Sequence, residues 1–237
     1  MRLNVLTIDA ATETEIVAVT AGNSFSDKTK IVEISHSVTL FETIHSALKE
    51  LNITIHDINC IGVGTGPGSF TGIRIAVTTA RMLAQILDVP LVGIATQLIF
   101  ACSADAKPGT LLLPAFDAKK KRVFGALYRI SDDPLSPEEI IAPGDYPMEY
   151  LAQGAEPGSP LIAVGSGSGK YHDVIVEHIP GAEIRSPFIP SGIQACRIVE
   201  KTYNINPSDF SDFTKVLPNY ARKSDAEVLK DLKAKEK

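Results

Sequence analysis

The stretch from residue 62 to residue 87, GVGTGPGSFTGIRIAVTTARMLAQIL, constrains the fold more than any other part of this chain. It begins in a predicted buried strand at residues 59–64, passes through a glycine-rich turn and continues as an apolar helix at residues 70–87. A further strand is predicted at residues 90–94. Because strand and helix alternate here, the sequence predicts an α/β fold. The glycines of the turn are Gly64, Gly66, Gly68 and Gly72.

The glycine-rich turn has two interpretations, and the sequence leaves both open. It fails as a dinucleotide-binding fingerprint, because the position of the third glycine holds Ser69. A helix still begins there, so backbone amides around Gly66, Gly68 and Ser69 are candidates for holding a nucleotide phosphate. In the other interpretation, the glycines supply special backbone angles and allow close packing.

The first half of the chain, residues 1–105, is predicted to form one α/β lobe. A helix at residues 38–51 precedes the strand–turn–helix–strand segment, and another helix at residues 96–104 follows it. Strands that come from hairpins pair antiparallel, whereas strands joined through helices pair parallel, so the sheet is predicted to be mixed. The hairpin strands are predicted at residues 3–9, 15–20 and 30–35.

The second half, residues 106–215, begins again with strands and is predicted to be a related but reduced lobe. Residues 131–160 are rich in proline, glycine, serine and acidic residues, which predicts a loop with little regular structure. The charged tail, residues 216–237, is predicted to be helical. The remaining predicted elements are strands at 110–116, 122–130 and 161–164, and helices at 171–178 and 193–203.

Composition excludes several classes of protein. Hydrophobic residues make up 44% and charged residues 22% of the 237 residues, which is typical of a globular protein in water. The net charge of −5 gives no global attraction to nucleic acid. The three cysteines, Cys60, Cys102 and Cys196, are widely spaced, which argues against disulfides and zinc sites. We find no signal peptide, membrane span or metal-binding motif, and we expect a cytoplasmic protein.

Candidate nucleotide-binding residues lie at matching places in the two halves. Asp9 ends the first predicted strand, with Thr12 soon after, and Asp117 ends the first strand of the second half. Two carboxylates so placed could face one cleft, as in actin-like and sugar-kinase-like nucleotide-binding folds. The segment from Gly165 to Tyr171, GSGSGKY, fails as a P-loop because its spacing is one residue short and Tyr171 replaces the magnesium-binding hydroxyl. Gly165 remains a candidate at a turn that a nucleotide can approach.

The helices at residues 38–51 and 70–87 are apolar on more than one side. A helix that only covers a sheet needs a single apolar stripe, so a second one indicates burial against something else. One interpretation is packing within the chain, and the other is an interface with another protein. The interface hypothesis predicts that Val77→Glu or Leu48→Glu blocks partner binding without unfolding the chain. The candidate interface residues are Phe41, Ile44, Leu48, Ile73, Val77, Ala80 and Ala84.

Several stretches resemble one known family. These are IDAAT near the start, HSVTLFETIHSALKELNI, IGVGTGPGSFTGIRIAVTTARMLAQILDVPLVGI, LLLPAFDAKKKRVFGALY and PNYAR. They resemble the TsaB (YeaZ) family over most of the chain, and GPGSFTGIR is the most specific block. The resemblance implies an actin-like, two-lobed fold of the ASKHA class with mixed sheets and a degenerate second lobe.

The resemblance also implies a function. It implies a non-catalytic subunit that forms a heterodimer with its paralogue TsaD through the first-lobe helices and helps to recruit the small ATPase TsaE. The complex makes threonylcarbamoyladenosine on the tRNA base next to the anticodon. This chain would then need no cofactor and hold no catalytic or metal-binding residues, with ATP or ADP and metal on the partner subunits. A homodimer is expected when the chain is alone, and tRNA is expected to bind through the complex.

The sequence departs from the usual family pattern at a few positions. Ala10 stands where threonine is common, Ala76 where glycine is common and Val38 where an acid often follows HS. An alternative function is that of a small ATPase or kinase that uses Asp9, Thr12 and Asp117. The basic run at residues 119–122 also leaves direct contact with tRNA open.

Overall fold

The first sheet is organised around β1 (Val5–Asp9), whose five side chains are all buried. The computed structural model describes residues 3–32 and 36–222 of the chain. Strand β1 pairs antiparallel with β2 (Thr14–Ala21) and parallel with β5 (Cys60–Gly64). The sheet is completed by β3 (Ser24–Asp27), β4 (Lys30–Ile31) and β6 (Leu91–Ile94), in the order β3-β2-β1-β5-β6 with β4 also pairing with β2. The predicted mixed sheet is confirmed. Of the strand predicted at residues 30–35, Lys30–Ile31 forms β4 and residues 33–35 lie outside the described residues, while β3 is an additional strand.

The second sheet repeats the topology of the first. Its central strand β7 (Leu111–Asp117) pairs antiparallel with β8 (Val123–Arg129) and parallel with β10 (Leu161–Val164). The edge strands are β9 (Glu138–Tyr146) and β11 (Glu183–Arg185), in the order β11-β10-β7-β8-β9. In both halves, hairpin strands lie on one side of the first strand and parallel strands lie on the other. This repetition confirms the predicted two-lobed, actin-like α/β fold.

The predicted reduction of the second half is confirmed, and it is most marked in the helices. The helices α1 (His36–Glu50) and α2 (Phe70–Leu87) have 15 and 18 residues. Their counterparts α4 (Met148–Gln153) and α6 (His172–His178) have only 6 and 7. A five-residue helix, α5 (Ser166–Lys170), precedes α6. Within the described residues, the second sheet has five strands and the first has six.

Residues 131–160 are not the loop that the sequence predicts, because they contain β9 and α4. Among the described residues, strand β9 pairs with β8 alone, and the register shifts near Leu127. An edge strand tolerates proline and glycine because one side of its backbone needs no ladder partner. This tolerance explains why the composition of the segment suggested a loop. Residues 223–237 of the predicted helical tail, and the side chain of Val38, lie outside the described residues.

The last helix of each half packs against the sheet of the other half. Helix α3 (Thr96–Cys102) lies against β7 and β8, and α7 (Gly192–Ile205) lies against β1, β2, β5 and β6. The side chain of Asp27 accepts a hydrogen bond from the backbone N–H of Gly192 at 2.9 Å, which fixes the start of α7 to the first sheet. The sequence had placed this helix in the second lobe, and its contacts correct that assignment. The two halves therefore share a core that contains Phe100 and Cys196.

Helices α1 and α2 cover the outer face of the first sheet, and their buried side chains form one core with it. This burial corrects most of the predicted interface, because the residues spaced three and four apart on α2 point to the chain's own sheet. Phe41 is the exception, with 52% of its surface exposed. The corrected residues, each at most 6% exposed, are Ile44, Leu48, Ile73, Val77, Ala80 and Ala84.

Inward and outward residues of α2 should therefore differ sharply in their effect on stability. We expect Ile73→Ala to lower the free energy of unfolding by about 2–5 kcal/mol, because Ile73 is 1% exposed and its loss leaves a cavity. Ile86→Ala, at a site 68% exposed, should change it by no more than about 0.5 kcal/mol. Urea unfolding followed by circular dichroism measures both. Equal losses would contradict the difference in burial between the two faces, and a larger loss for Ile86→Ala would reverse their assignment. By the same reasoning, Val77→Glu or Leu48→Glu unfolds the chain.

Candidate functional site

A cleft of about 440 Å³ lies between the two halves, where the turns after β1 and β7 face each other. The start of α2 and the residues just before 223 complete its walls. Of the predicted nucleotide-binding residues, the structure brings Thr12, Gly68, Ser69 and Asp117 to this cleft. The other three, Asp9, Gly66 and Gly165, do not line it. Its other walls include Glu13, Phe70, Phe116, Phe124, Ser166, Tyr220 and Arg222.

The glycines before α2 allow the chain to pack against its own backbone. A Cβ atom on Gly72 would overlap the carbonyl oxygen of Ala10, and one on Gly68 would overlap that of Ala11. The Ala11 carbonyl also accepts a hydrogen bond from the N–H of Ser69 at 2.7 Å. The Ser69 hydroxyl in turn accepts one from the N–H of Gly72 at 3.3 Å. Because these amides already have partners inside the chain, the structure favours the packing interpretation over a phosphate site.

Asp9 is buried behind the cleft and fully engaged there. It is 1% exposed, and its Oδ1 accepts a hydrogen bond from the N–H of Ala11 at 2.6 Å. Its Oδ2 accepts another from the Thr96 hydroxyl at 2.7 Å. The neighbouring strand approaches so closely that a Cβ on Gly64 would overlap the carboxylate. Asp9 therefore fixes the turn after β1 and ties it to α3. It is in no position to hold a metal-bound water in the cleft.

Gly66 binds the same Thr96 hydroxyl as Asp9. Its φ of 90° is in the region that favours glycine, and its N–H donates to the Thr96 hydroxyl at 3.2 Å. The Thr96 hydroxyl thus accepts from Gly66 and donates to Asp9. Thr12 lies nearer the cleft, where its hydroxyl accepts a hydrogen bond from the N–H of Thr14 at 3.0 Å. The Gly66–Thr96 and Thr14–Thr12 hydrogen bonds therefore stabilise turns of the backbone.

Asp117 faces the cleft but is held by two lysines. Both carboxylate oxygens accept hydrogen bonds from the Lys170 ammonium at 2.9 Å, and Lys119 binds Oδ2 at 2.9 Å. Partial burial works against ionisation, but the hydrogen bonds from Lys119 and Lys170 outweigh it and lower the pKa of Asp117 to about 2. The carboxylate is therefore ionised and paired at neutral pH.

The segment from Gly165 to Tyr171 joins β10 to the helices α5 and α6. Gly165 has a φ of 97°, and helix α5 begins directly after it. The hydroxyl of Ser166 accepts a hydrogen bond from the Asp117 N–H at 3.4 Å and donates to Glu13 at 3.5 Å. This contact joins the turn after β1 to the second half. The lysine of the segment, Lys170, binds the Asp117 carboxylate. This contact agrees with the rejection of a P-loop from the sequence.

The basic run forms a tight left-handed turn between β7 and β8. Lys119, Lys120 and Lys121 have φ angles of 61°, 51° and 60°. Arg122 is tied to β9, where its Nε donates to Asp145 Oδ1 at 2.8 Å. The strands predicted at residues 110–116 and 122–130 are confirmed and pair as a hairpin around this turn. Contact of the turn with tRNA stays a prediction.

The sequence missed a strap that crosses the cleft, which we define as residues 213–222. The N–H of Asn219 donates to the carbonyl of Thr65 at 2.8 Å. The ring of Tyr220 packs on Phe70 with centroids 4.7 Å apart. Arg222 then lies over the ring of Phe124, 5.8 Å from its centroid, on β8 of the second half. The strap runs from one half to the other. The sequence predicts residues 213–215 as the end of the second lobe and residues 216–222 as part of a helical tail, but residues 216–222 are not helical. Pro218 and Tyr220 are the residues that could have indicated an extended, anchored segment.

A groove of about 370 Å³ lies between α1 and α2 on the outer surface. Phe41 and Ile75 give it apolar walls, and Arg74 stands at the end nearest the strap. Beyond it on α2, Met82 and Ile86 are 40% and 68% exposed. Arg74 and Arg81 are the charged residues of α2, so this helix carries positive charge only. The outward face is therefore apolar and basic.

The described ranges contain no cluster of three or more histidine, cysteine, aspartate or glutamate side chains placed to hold a metal ion.

Burial raises the pKa of each thiol, Cys60, Cys102 and Cys196, to about 12, so these cysteines are inert core residues. Within residues 3–32 and 36–222, the longest helices are too short or too polar for a membrane span.

Comparisons with known proteins agree with the fold. A family model described as TsaD, tRNA N6-adenosine threonylcarbamoyltransferase, matches residues 28–233. The tRNA threonylcarbamoyladenosine biosynthesis protein TsaB of Bacillus subtilis (strain 168) is 29% identical over 197 residues, which cover 82% of each chain. The protein of the same name from Escherichia coli (strain K12) is 32% identical over 54% of this chain and 55% of its own.

Among solved structures, YeaZ from Pseudomonas aeruginosa superposes with a TM-score of 0.79. The match covers 92% of this chain and 100% of that one, at 21% sequence identity. At this identity the likeness shows the fold alone.

The packing role of the glycines predicts a clear contrast. We expect Gly72→Ala to lower the free energy of unfolding by more than about 2 kcal/mol, because the new methyl group meets the Ala10 carbonyl. Gly181→Ala should cost only about 1 kcal/mol, since Gly181 has a φ of 88° but open space around it. Chemical denaturation of the two variants measures the difference. A stable Gly72→Ala variant would reopen the anion-site interpretation.

The Asp117 pair predicts a pH-dependent contribution to stability. A folded pKa of about 2, below the usual 3.8, stabilises the folded state at pH values above about 4. That contribution is lost as the pH falls from about 4 to 2. Lys119 and Lys170 are 79% and 48% exposed, so we expect Asp117→Asn to cost only about 1 kcal/mol at pH 7.

The difference between wild type and Asp117→Asn should vanish near pH 2, as followed by urea unfolding across this range. Asp132→Asn is the control for loss of an exposed carboxylate. A difference that does not change with pH would show that Asp117 stabilises the fold by some other contact.

Proposed function

The chain belongs to the TsaB (YeaZ) family, and from that premise we propose that it acts in tRNA threonylcarbamoyladenosine biosynthesis as the non-catalytic partner of a TsaD subunit. The family-model match and the names of the TsaB relatives support the pathway. The apolar outward face of α1 and α2 supports the proposal that the chain acts by binding TsaD. It is the one structural observation on which the proposed interface rests.

The outer face of α1 and α2 has the character of a protein interface. Phe41, Met82 and Ile86 are exposed on adjacent helices beside the apolar groove. Each Å² of apolar surface removed from water contributes about 25 cal/mol, so covering such a face stabilises a complex. The interface we propose therefore consists of Phe41, Ile75, Met82 and Ile86, with Phe41 the one residue kept from the sequence-based set.

The non-catalytic role is supported by the engagement of both candidate carboxylates. Asp9 is bonded to Ala11 and Thr96 behind the cleft, and Asp117 is paired with two lysines. An ATPase or kinase would need these groups turned toward a metal and phosphates. The cleft is also partly closed by the chain's own Tyr220 and Arg222. We therefore favour the partner role over the alternative enzyme, with ATP or ADP and metal held by the partner subunits.

The remaining partners follow from the same proposal. Without TsaD, the same apolar face would cover itself in a homodimer, because a two-fold interface uses one surface twice. Recruitment of TsaE and contact with tRNA belong to the assembled complex, and these two proposals rest on the family resemblance alone.

The test is to place a charge on the outward face. We expect Ile86→Asp and Phe41→Asp to weaken binding to purified TsaD at least about 30-fold, measured by isothermal titration calorimetry, because each buries a carboxylate in an apolar contact. The same variants should lower the yield of threonylcarbamoyladenosine in a reconstituted tRNA assay. Both should keep wild-type thermal stability, since both sites are exposed.

Ile205→Asp is the matched control. Ile205 is 76% exposed at the end of α7, outside the proposed interface, so the substitution adds the same charge to an equally exposed apolar site. It should leave TsaD binding unchanged. If Ile86→Asp and Phe41→Asp bind TsaD as well as this control does, the interface is wrong. If the wild-type chain neither binds TsaD nor supports modification, the proposed function is wrong.

A further inference from the structure

Two sequence stretches that lie far apart in the chain meet at the rim of the cleft. GPGSFTGIR supplies Phe70 and Arg74 at the start of α2, and PNYAR supplies Asn219 and Tyr220 in the strap. The Nε of Arg74 donates a hydrogen bond to the Tyr220 hydroxyl at 2.8 Å. The Arg74 guanidinium lies 3.9 Å from the centroid of the Phe70 ring, which also packs on Tyr220. The side chains of Phe70, Arg74 and Tyr220 form one contact that anchors the strap.

Arg74 belongs to two surfaces at once. It forms one end of the apolar groove, beside Phe41 and Ile75, and it is also the residue that holds Tyr220. A guanidinium is planar and carries its hydrogen-bond donors in a fixed fork, so its position against Phe70 and Tyr220 fixes what it presents to the groove. Without the Tyr220 hydroxyl, the long side chain regains rotamer freedom and the end of the groove loses its shape.

The same strap also closes the cleft. Tyr220, Ala221 and Arg222 line it, and Arg222 reaches over Phe124 of the second half. The strap is fixed to the first half through Asn219, whose N–H bonds to Thr65. Release of Tyr220 therefore frees the segment between Asn219 and the second half, and the groove and the cleft change together.

We propose that the strap couples the groove between α1 and α2 to the cleft between the halves, with Arg74 as the shared residue. The closed strap holds Arg74 ready for TsaD, and bound TsaD holds the strap closed. Coupling of this kind is reciprocal, so each event favours the other by the same factor. This inference rests on the proposed function, because it takes the groove as the TsaD surface.

The chemistry of the partner segment follows from the same residues. The outward face of α2 combines Ile75, Met82 and Ile86 with the positive charges of Arg74 and Arg81. The segment that fits this face is apolar and places an acidic side chain near Arg74. A carboxylate there would be attracted to a guanidinium already held in position, which adds specificity to apolar contact.

The experiment combines hydrogen exchange with binding. In the free chain, Tyr220→Phe should speed exchange of the Asn219 amide, while the amide of Thr65, bonded to Ile94 within the sheet, should not change. Purified TsaD should slow Asn219 exchange in the wild type. Tyr220→Phe should weaken TsaD binding about 5-fold, the lower end of typical coupling between sites. Tyr150→Phe, on an exposed tyrosine of α4, is the matched control and should change neither quantity.

A double-mutant cycle separates coupling from direct contact of Tyr220 with the partner. If Tyr220 acts through Arg74, Tyr220→Phe should have little further effect in an Arg74→Ala background. An undiminished effect there, or Asn219 exchange that TsaD leaves unchanged, would overturn the coupling while leaving the proposed function intact. A wild-type chain that fails to bind TsaD would overturn both.

Discussion

The packing of α2 against the turn after β1 is the contact on which the rest of the structure depends. Gly68 and Gly72 let the carbonyls of Ala11 and Ala10 approach the first turn of the helix, where a side chain would prevent it. This approach fixes the rotation of α2 about its axis. It thereby decides which side chains enter the core, which ones form the groove, and where Phe70 and Arg74 stand to receive the strap.

The same contact engages backbone groups that a phosphate-binding turn would leave free. A phosphate at a helix start needs backbone amides without partners. Here the amides of Ser69 and Gly72 bond to Ala11 and to the Ser69 hydroxyl, and the Asp9 carboxylate bonds to Ala11 and Thr96. Glycine-rich turns and aspartates at strand ends occur in phosphate-binding sites, and they also occur in turns that only allow close packing of the backbone. Sequence therefore predicted the elements of this site and left their role open.

The fold was more predictable than the interface, for a physical reason. Helix α2 was predicted at its observed bounds, Phe70–Leu87, because hydrophobic periodicity reports helix and burial together. Periodicity does not say which of two apolar stripes faces inward. Ala76, Ala80 and Ala84 have no side chains large enough to mark a core, yet they pack on the sheet, while Met82 and Ile86 remain outside. The strap was missed because its anchors, Phe70 and Arg74, lie more than a hundred residues away, and no local pattern records such a contact.

The exchange of terminal helices between the halves bears on how this chain can work. Because α7 packs on the first sheet and α3 on the second, the halves share one core and cannot separate freely. The contacts of Glu13 with Ser166 and of Arg222 with Phe124 also join the halves. A cleft held by its own chain is in keeping with the proposal that this protein binds its partner through the outer face of α1 and α2.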